Sequence, residues 1–197
     1  MTSFIDTVPR SFENVAITDE GIDTMEFLEA AQGVVMLFKK LSATKFKLVI
    51  DDMDGNIQKI KNKYLSQPVD FKTLQNIILS EASEKTKTAT QGLLWLKRGL
   101  EFTAAALLRS LENATEELSV SFTKAYDVTL KQYHNFIVKS LFKTMMGLCP
   151  YRKDFYETLG GTTPEAQERL KDWAKALQSQ LETLNKFYSQ GGYDKGL

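Results

Sequence analysis

A chain of 197 residues is long enough to bury one sizeable core without help from metals or disulfides. Its 25 Lys and Arg balance 25 Asp and Glu, so it lacks the basic excess that phosphate neutralisation demands of a nucleic-acid binder. The single cysteine, Cys149, excludes an internal disulfide framework, and no apolar run reaches the length of a signal peptide or a membrane span. A soluble, cytoplasmic domain is the expectation, and the Asn113-Ala114-Thr115 sequon is expected to be silent.

Residues 1–22 read as a partly irregular N-terminal segment, followed by one domain over 23–197. Apolar residues recur at helical spacing almost throughout. In "IDTMEFLEAAQGVVMLFKKL" a stripe runs through Phe27, Ala31, Val34, Val35, Phe38 and Leu41, and Asp23 with Glu26 resembles a capping pair. The next helix carries Ile50, Met53, Ile57, Ile60 and Tyr64. After Pro68, Asp70 is placed to cap a short helix bearing Leu74, Ile77 and Ile78. The polar run "SEASEKTKTATQ" reads as a connection. "GLLWLKRGLEFTAAALLRSL" has one stripe at Leu93, Leu96, Leu100, Ala104, Leu107 and Leu111 and another at Trp95, Phe102 and Ala106. A helix apolar on two faces is sandwiched between layers.

A long helix is expected from Ser121 to Pro150, with Phe122, Tyr126, Tyr133, Ile137 and Leu141 on its stripe. The last helix starts at Thr163 as cap with Pro164 in the first position, and carries Leu170, Trp173, Leu177, Leu181 and Leu184. No strand-like alternation stands out. The fold class is all-α, one layered domain with a loose tail.

"DDMDGNIQK", residues 51–59, has the look of a calcium loop. Aligning Gly55 with the loop's sixth position puts Ile50 at the first and Lys61 at the twelfth, where carboxylates are required. The flanks have helical period, which also excludes a hairpin. On a helix, Asp52, Asn56, Lys59 and Lys63 share one polar stripe. It is either a solvated face or a row of hydrogen-bonding groups suited to a polyhydroxylated ligand. His134 reads as a hydrogen-bonded core histidine, and one His with one Cys makes no metal site. On a continuous helix the fifteen residues between His134 and Cys149 span roughly 22 Å, which excludes a catalytic dyad. Cys149 reads as a small buried hydrophobe. Trp95, beside Lys97 and Arg98, is either a core aromatic or a platform for stacking a sugar ring.

Five segments, "DxxGNIxKI", "FKTLQNI", "LLWLKRGLEF", "TKAYDVTLKQYH" and "PYRKDF", resemble the glycolipid transfer protein family in order and spacing. The resemblance covers roughly Asp23 to Phe155 and weakens beyond. It implies a two-layer helical sandwich that opens between its layers to take the hydrocarbon chains of a glycosphingolipid, a monohexosyl- or dihexosylceramide. Asp52, Asn56 and Lys59 would hydrogen-bond the head-group sugar, Trp95 would stack on it, and Tyr193 would correspond to a tail tyrosine of the family. His134 would donate to the ceramide amide carbonyl while Asp52 accepts from its N–H. Phe38, Phe46, Leu130 and Phe142 would line the apolar pocket. Phe136 and Tyr151 would touch a membrane surface transiently, with modest salt dependence because the net charge is zero.

The implied protein is a monomeric, non-enzymatic carrier without metal or cofactor. A glycolipid-occupancy sensor or adaptor, a ceramide-phosphate carrier and a purely structural helical module are the alternatives. Trp95 favours glycolipid over ceramide phosphate, because family members selective for the phosphate put cationic groups there. The physical need for a carrier is plain: each buried CH₂ is worth about 0.8 kcal/mol, so a sixteen-carbon chain costs roughly 13 kcal/mol in water.

Overall fold

A computed structural model describes residues 2–197. Among them eight α-helices carry the fold: α1 (Thr24–Ser42), α2 (Lys47–Ser66), α3 (Leu74–Glu81), α4 (Thr88–Glu112), α5 (Leu118–Val128), α6 (Phe136–Met146), α7 (Arg152–Thr158) and α8 (Pro164–Gly191). α4 is the hub, packing against α2, α3, α5 and α8, while α1 lies on α2. Both its apolar faces are used: Leu93, Leu96, Leu100 and Leu107 are fully buried on one stripe, Phe102 and Ala106 on the other. The result is the expected all-α, two-layer sandwich.

The helix ends follow from local chemistry. Asp23 caps α1 by accepting from Glu26 N at 3.0 Å, but Glu26 turns away to accept the Ala16 N–H at 2.6 Å. The capping pair is therefore only half reciprocal. Thr73, not Asp70, caps α3, accepting from Asn76 N at 3.2 Å. Thr24 explains the later start, because its N–H and hydroxyl bond Lys72 O at 2.8 Å and Phe71 O at 2.9 Å, pinning that stretch as a turn. Thr163 caps α8 with Pro164 next, as the sequence predicts, and Gly192 closes that helix at a left-handed φ of 64°.

The N-terminal segment joins the core. Phe4 and Phe12 are buried against Trp173 at ring distances of 5.9 and 5.3 Å, and Gln180 Nε2 donates to Phe12 O at 2.6 Å. A two-stranded ribbon, β1 (Ile17–Thr18) with β2 (Gly21–Ile22), is too short to show alternation in the sequence.

One expected helix is broken. α5 ends at Val128, Thr129 leaves helical geometry at φ −117°, ψ −87°, and a single 3₁₀ turn over Leu130–Tyr133 follows. Asn135 then caps α6, accepting from Val138 N at 3.0 Å. The expected single stripe is thereby split, because the break changes the angular register. Tyr133, Ile137 and Leu141, expected on the buried face, are exposed at 42, 60 and 51%. Phe142, Met145 and Met146 face inward in their place.

Candidate functional site

The polar row of α2 is built as its spacing requires. Asn56 Nδ2 donates to Asp52 Oδ2 at 3.3 Å, and Lys59 Nζ donates to Asn56 Oδ1 at 3.1 Å. Asn56 is buried, so this chain of bonds fixes the amide between an acceptor and a cation. Lys63 leaves the row: it donates to Glu84 at 3.1 Å and lies 3.8 Å from Glu81. The other two carboxylates of the 51–59 segment face elsewhere, Asp51 to Lys47 at 2.6 Å and Asp54 to Gln32 at 3.1 Å and Lys39 at 3.6 Å. No loop gathers them. Asp52 still reaches solvent, yet burial of its carboxyl raises its pKa, opposed by the nearby Lys59 charge and the Asn56 hydrogen bond.

α4 crosses α2 closely here. A Cβ added at Gly92 would lie 3.2 Å from Lys59 Cβ and Cδ, so glycine lets the lysine stem lie across the helix. One turn on, Trp95 is half-buried and nearly parallel to His134, with ring centroids 6.2 Å apart at 15°. The Arg98 guanidinium sits between Trp95, 4.8 Å from its ring centroid, and Tyr133, 3.7 Å from its own.

His134 lies at the break before α6, half-buried, instead of inside an apolar helix. Burial lowers its pKa, with the Lys139 charge acting in the same direction. Its Nδ1 is 3.1 Å from Tyr126 Oη, and burial raises the pKa of that phenol. A neutral phenol donating to Nδ1 leaves the imidazole proton on Nε2, an arrangement suited to donating to a carbonyl.

Five of these residues border one cavity of about 460 Å³. Asp52, Asn56, Lys59, Trp95 and His134 form its polar side, with Gln91. Met53, Phe102, Leu130, Val138 and Phe142 form its apolar side, and Leu48 stands at its edge. Leu130 and Phe142 thus join the site. Phe38 and Phe46 do not border the cavity; fully buried, they pack on each other at 5.6 Å in the core where α1 meets α2. Tyr193 stacks on Phe187 at 5.3 Å near the end of α8 and is not among the cavity walls. Phe136 and Tyr151 project into solvent, 80 and 74% exposed. Tyr126 escaped sequence reasoning because it reads as one more stripe residue, and its pairing with His134 depends on the break. A second hollow of about 450 Å³ lies on another face of α4, where buried Lys97 bonds Glu101 and Asn185, so the Lys97 charge is already partnered.

One alternative from the sequence changes its footing. The broken helix removes the distance argument against a His134–Cys149 pair, but burial pushes the Cys149 thiol up to about 12. Such a thiol is not a nucleophile at neutral pH. Among the described residues no group of three His, Cys, Asp or Glu is arranged to hold a metal, and no helix is long and apolar enough to cross a membrane.

The fold and site define an all-α sandwich with an amphipathic cavity between its helices. The profile described as "Glycolipid transfer protein (GLTP)" matches residues 22–161. A glycolipid transfer protein of Aureobasidium melanogenum is 44% identical over 185 residues, covering 94% of this chain and 92% of that one. The crystal structure of HET-C2, a fungal glycolipid transfer protein, superposes with a TM-score of 0.90 at 42% identity, covering 95% of this chain and 97% of that chain. A structure of FAPP2, described as selecting simple glycosphingolipids using the GLTP-fold, gives 0.87 at 30% identity over 98% of both chains. The chain belongs to the glycolipid transfer protein family.

Proposed function

We propose that this protein is a non-enzymatic carrier that binds a glycosphingolipid, a mono- or dihexosylceramide, and moves it between membranes. The observation that carries the reading is the two-sided cavity: a bonded Asp52–Asn56–Lys59 row meets Trp95 and His134 above an apolar wall of Met53, Phe102, Leu130 and Phe142. Sugar hydroxyls both donate and accept, and the row offers a carboxylate acceptor, an amide and a cationic donor in one line. Trp95 offers the sugar an apolar ring face. Across the cavity, His134 Nε2–H donates to the ceramide carbonyl while Asp52 accepts from the amide N–H, so one amide is read on both sides. Charge-assisted bonds of this kind strengthen as water leaves the site. No bond is made or broken.

A cavity of about 460 Å³ suits the head group and the start of the chains. The remainder of the chains enters by parting apolar packing, in which Phe38 and Phe46 yield their contact. Phe136 and Tyr151 touch the membrane during loading. The carrier works as a monomer in the cytoplasm.

Transfer of labelled glucosylceramide between vesicles tests this reading directly, with ceramide phosphate as competitor. The expected result is transfer of the glycolipid without ATP, little relieved by competitor. Preference for ceramide phosphate would overturn the head-group assignment, and absence of both activities would overturn the carrier.

A further inference from the structure

Four of the five arginines are held by oxygen atoms. Arg10, Arg109 and Arg169 pair with carboxylates, and Arg152 donates to Ser110. Arg98 differs. Among the described residues it belongs to no ion pair, and its Nε is buried without a hydrogen-bond partner. Aromatic rings take that place: the guanidinium carbon lies 3.7 Å from the Tyr133 ring centroid and 4.8 Å from that of Trp95. A ring face attracts a cation, and a planar, weakly hydrated guanidinium stacks on it where an ammonium cannot. A carboxylate bonded to the guanidinium would draw it off the rings, and none is.

The two rings belong to different elements. Trp95 and Arg98 are three positions apart on α4, so their side chains are neighbours one turn apart. Tyr133 closes the 3₁₀ turn at the broken junction, and His134 follows it directly. The Arg98 contact therefore crosses from the helix that carries the indole to the turn that carries the imidazole. Trp95 needs such a brace, because a half-buried indole has room to change rotamer. His134, nearly parallel to it at 6.2 Å, keeps that relation only while the turn and the indole are tied.

We infer that Arg98 is a positioning residue for the head-group site: stacked between Trp95 and Tyr133, its guanidinium ties the indole to the 3₁₀ turn and so sets the spacing between the sugar platform and His134. This rests on the carrier reading and adds what holds its platform in place. Arg98 itself does not border the cavity, so it acts on a bound lipid through Trp95. Charge alone does not do this. Lys186 shares a hollow of about 320 Å³ with Arg98 on the side away from that cavity, and removing it takes away an equal charge without taking away the stack.

Two measurements on the full chain test the brace. Acrylamide quenching of tryptophan emission needs no ligand: Trp173 is fully buried, so the quencher reads Trp95. Arg98→Ala and Arg98→Lys should both steepen the quenching, and Lys186→Gln should leave it at the wild-type slope. Unchanged quenching in Arg98→Ala, or full rescue by Arg98→Lys, would overturn the inference. Should Arg98→Ala fail to fold, Arg98→Met keeps the stem, drops the planar cation and gives the same readout. The second measurement is calorimetric binding of a water-soluble short-chain glucosylceramide. Arg98→Ala should weaken it roughly fivefold, the ratio that a partly desolvated cation–π contact carries. In a Trp95→Ala background the same change should cost almost nothing, because the two side chains act as one unit. A loss that persists in full without Trp95 would overturn the inference. Absence of glycolipid binding in the wild type would strike the carrier reading, and quenching alone would then decide the brace.

Discussion

Burial raises the pKa of the Asp52 carboxyl above its ordinary value of 3.8, against the pull of Lys59 and Asn56. A carboxyl whose folded pKa is raised binds its proton more tightly in the fold. Its contribution to stability is therefore full below 3.8 and is lost as pH rises through the folded value. At neutral pH the Asp52 charge opposes folding, and the Lys59–Asn56 chain only reduces that cost. In a glycolipid complex the same charge would accept from sugar hydroxyls and from the ceramide amide, where charged hydrogen bonds are worth about 1.5–3 kcal/mol each. Asp52→Asn keeps the shape and removes the charge. It should melt at or slightly above the wild-type temperature at pH 7 while losing roughly tenfold or more in glycolipid affinity. Asp54→Val, which gives up only Gln32 and Lys39 on another face, should leave transfer close to wild type. Calorimetry beside a transfer assay separates the outcomes. A lower melting temperature for Asp52→Asn, or equal transfer by the two variants, would make the row a framework and not a reading head.

At the scale of elements, the junction between α5 and α6 sets the site more than any helix does. It turns His134 toward Trp95, brings Nδ1 to Tyr126 and puts Phe136 outside. Asn135 holds that junction as the cap of α6. Asn135→Ala removes the acceptor for Val138 N and should cost about 1 kcal/mol, which for a chain of this size lowers the melting temperature by about 2–4 °C. Glycolipid affinity should fall further than stability alone explains, because His134 is the residue before the cap. Asn135→Asp, which caps as well, should restore both; failure of Asp to rescue either one would mean the cap does not position His134. This junction was also the part least legible in the sequence. Periodicity across Ser121–Pro150 is apolar enough to read as one helix, and Thr129 and Asn135 are weak breakers on their own. The helices with strong signals at their ends, α1 after Asp23 and α8 after Thr163-Pro164, were plain. So was the α2 row, because a helix of known phase fixes which side chains line up. Where the cap was chosen by a distant contact, as Thr24 does for α3, local sequence pointed to the wrong residue.

For the whole molecule, the arrangement of the cavity and the exposed apolar residues of α6 matters more than either alone. Helix periodicity gave the all-α layered domain and the sandwiched α4, and the resemblance supplied the two layers and the site residues. The resemblance implied an outside place for Phe136 and Tyr151, but periodicity could not give which apolar positions would remain outside, because exposure along α6 depends on its phase after the break. With that phase in hand, Phe136 and Tyr151 are large aromatics left almost entirely in solvent, an unfavourable choice unless something covers them. Val138 and Leu48 border the cavity, and Leu48 is itself half exposed, so the cavity opens beside the same surface. A lipid leaving a bilayer under this face would pass straight to the polar row without crossing water. Full burial of an aromatic or aliphatic side chain is worth about 1.5–3 kcal/mol, and shallow insertion of each ring about half of that. Phe136→Ser with Tyr151→Ser should therefore weaken association with vesicles roughly tenfold or more and slow transfer in proportion. Both side chains are already solvated in the fold, so the melting temperature should hardly change. Binding of a soluble short-chain glycolipid should match the wild type, since neither residue borders the cavity. If that binding fell as far as vesicle association did, the two aromatics would be acting on the pocket and the docking face would lie elsewhere.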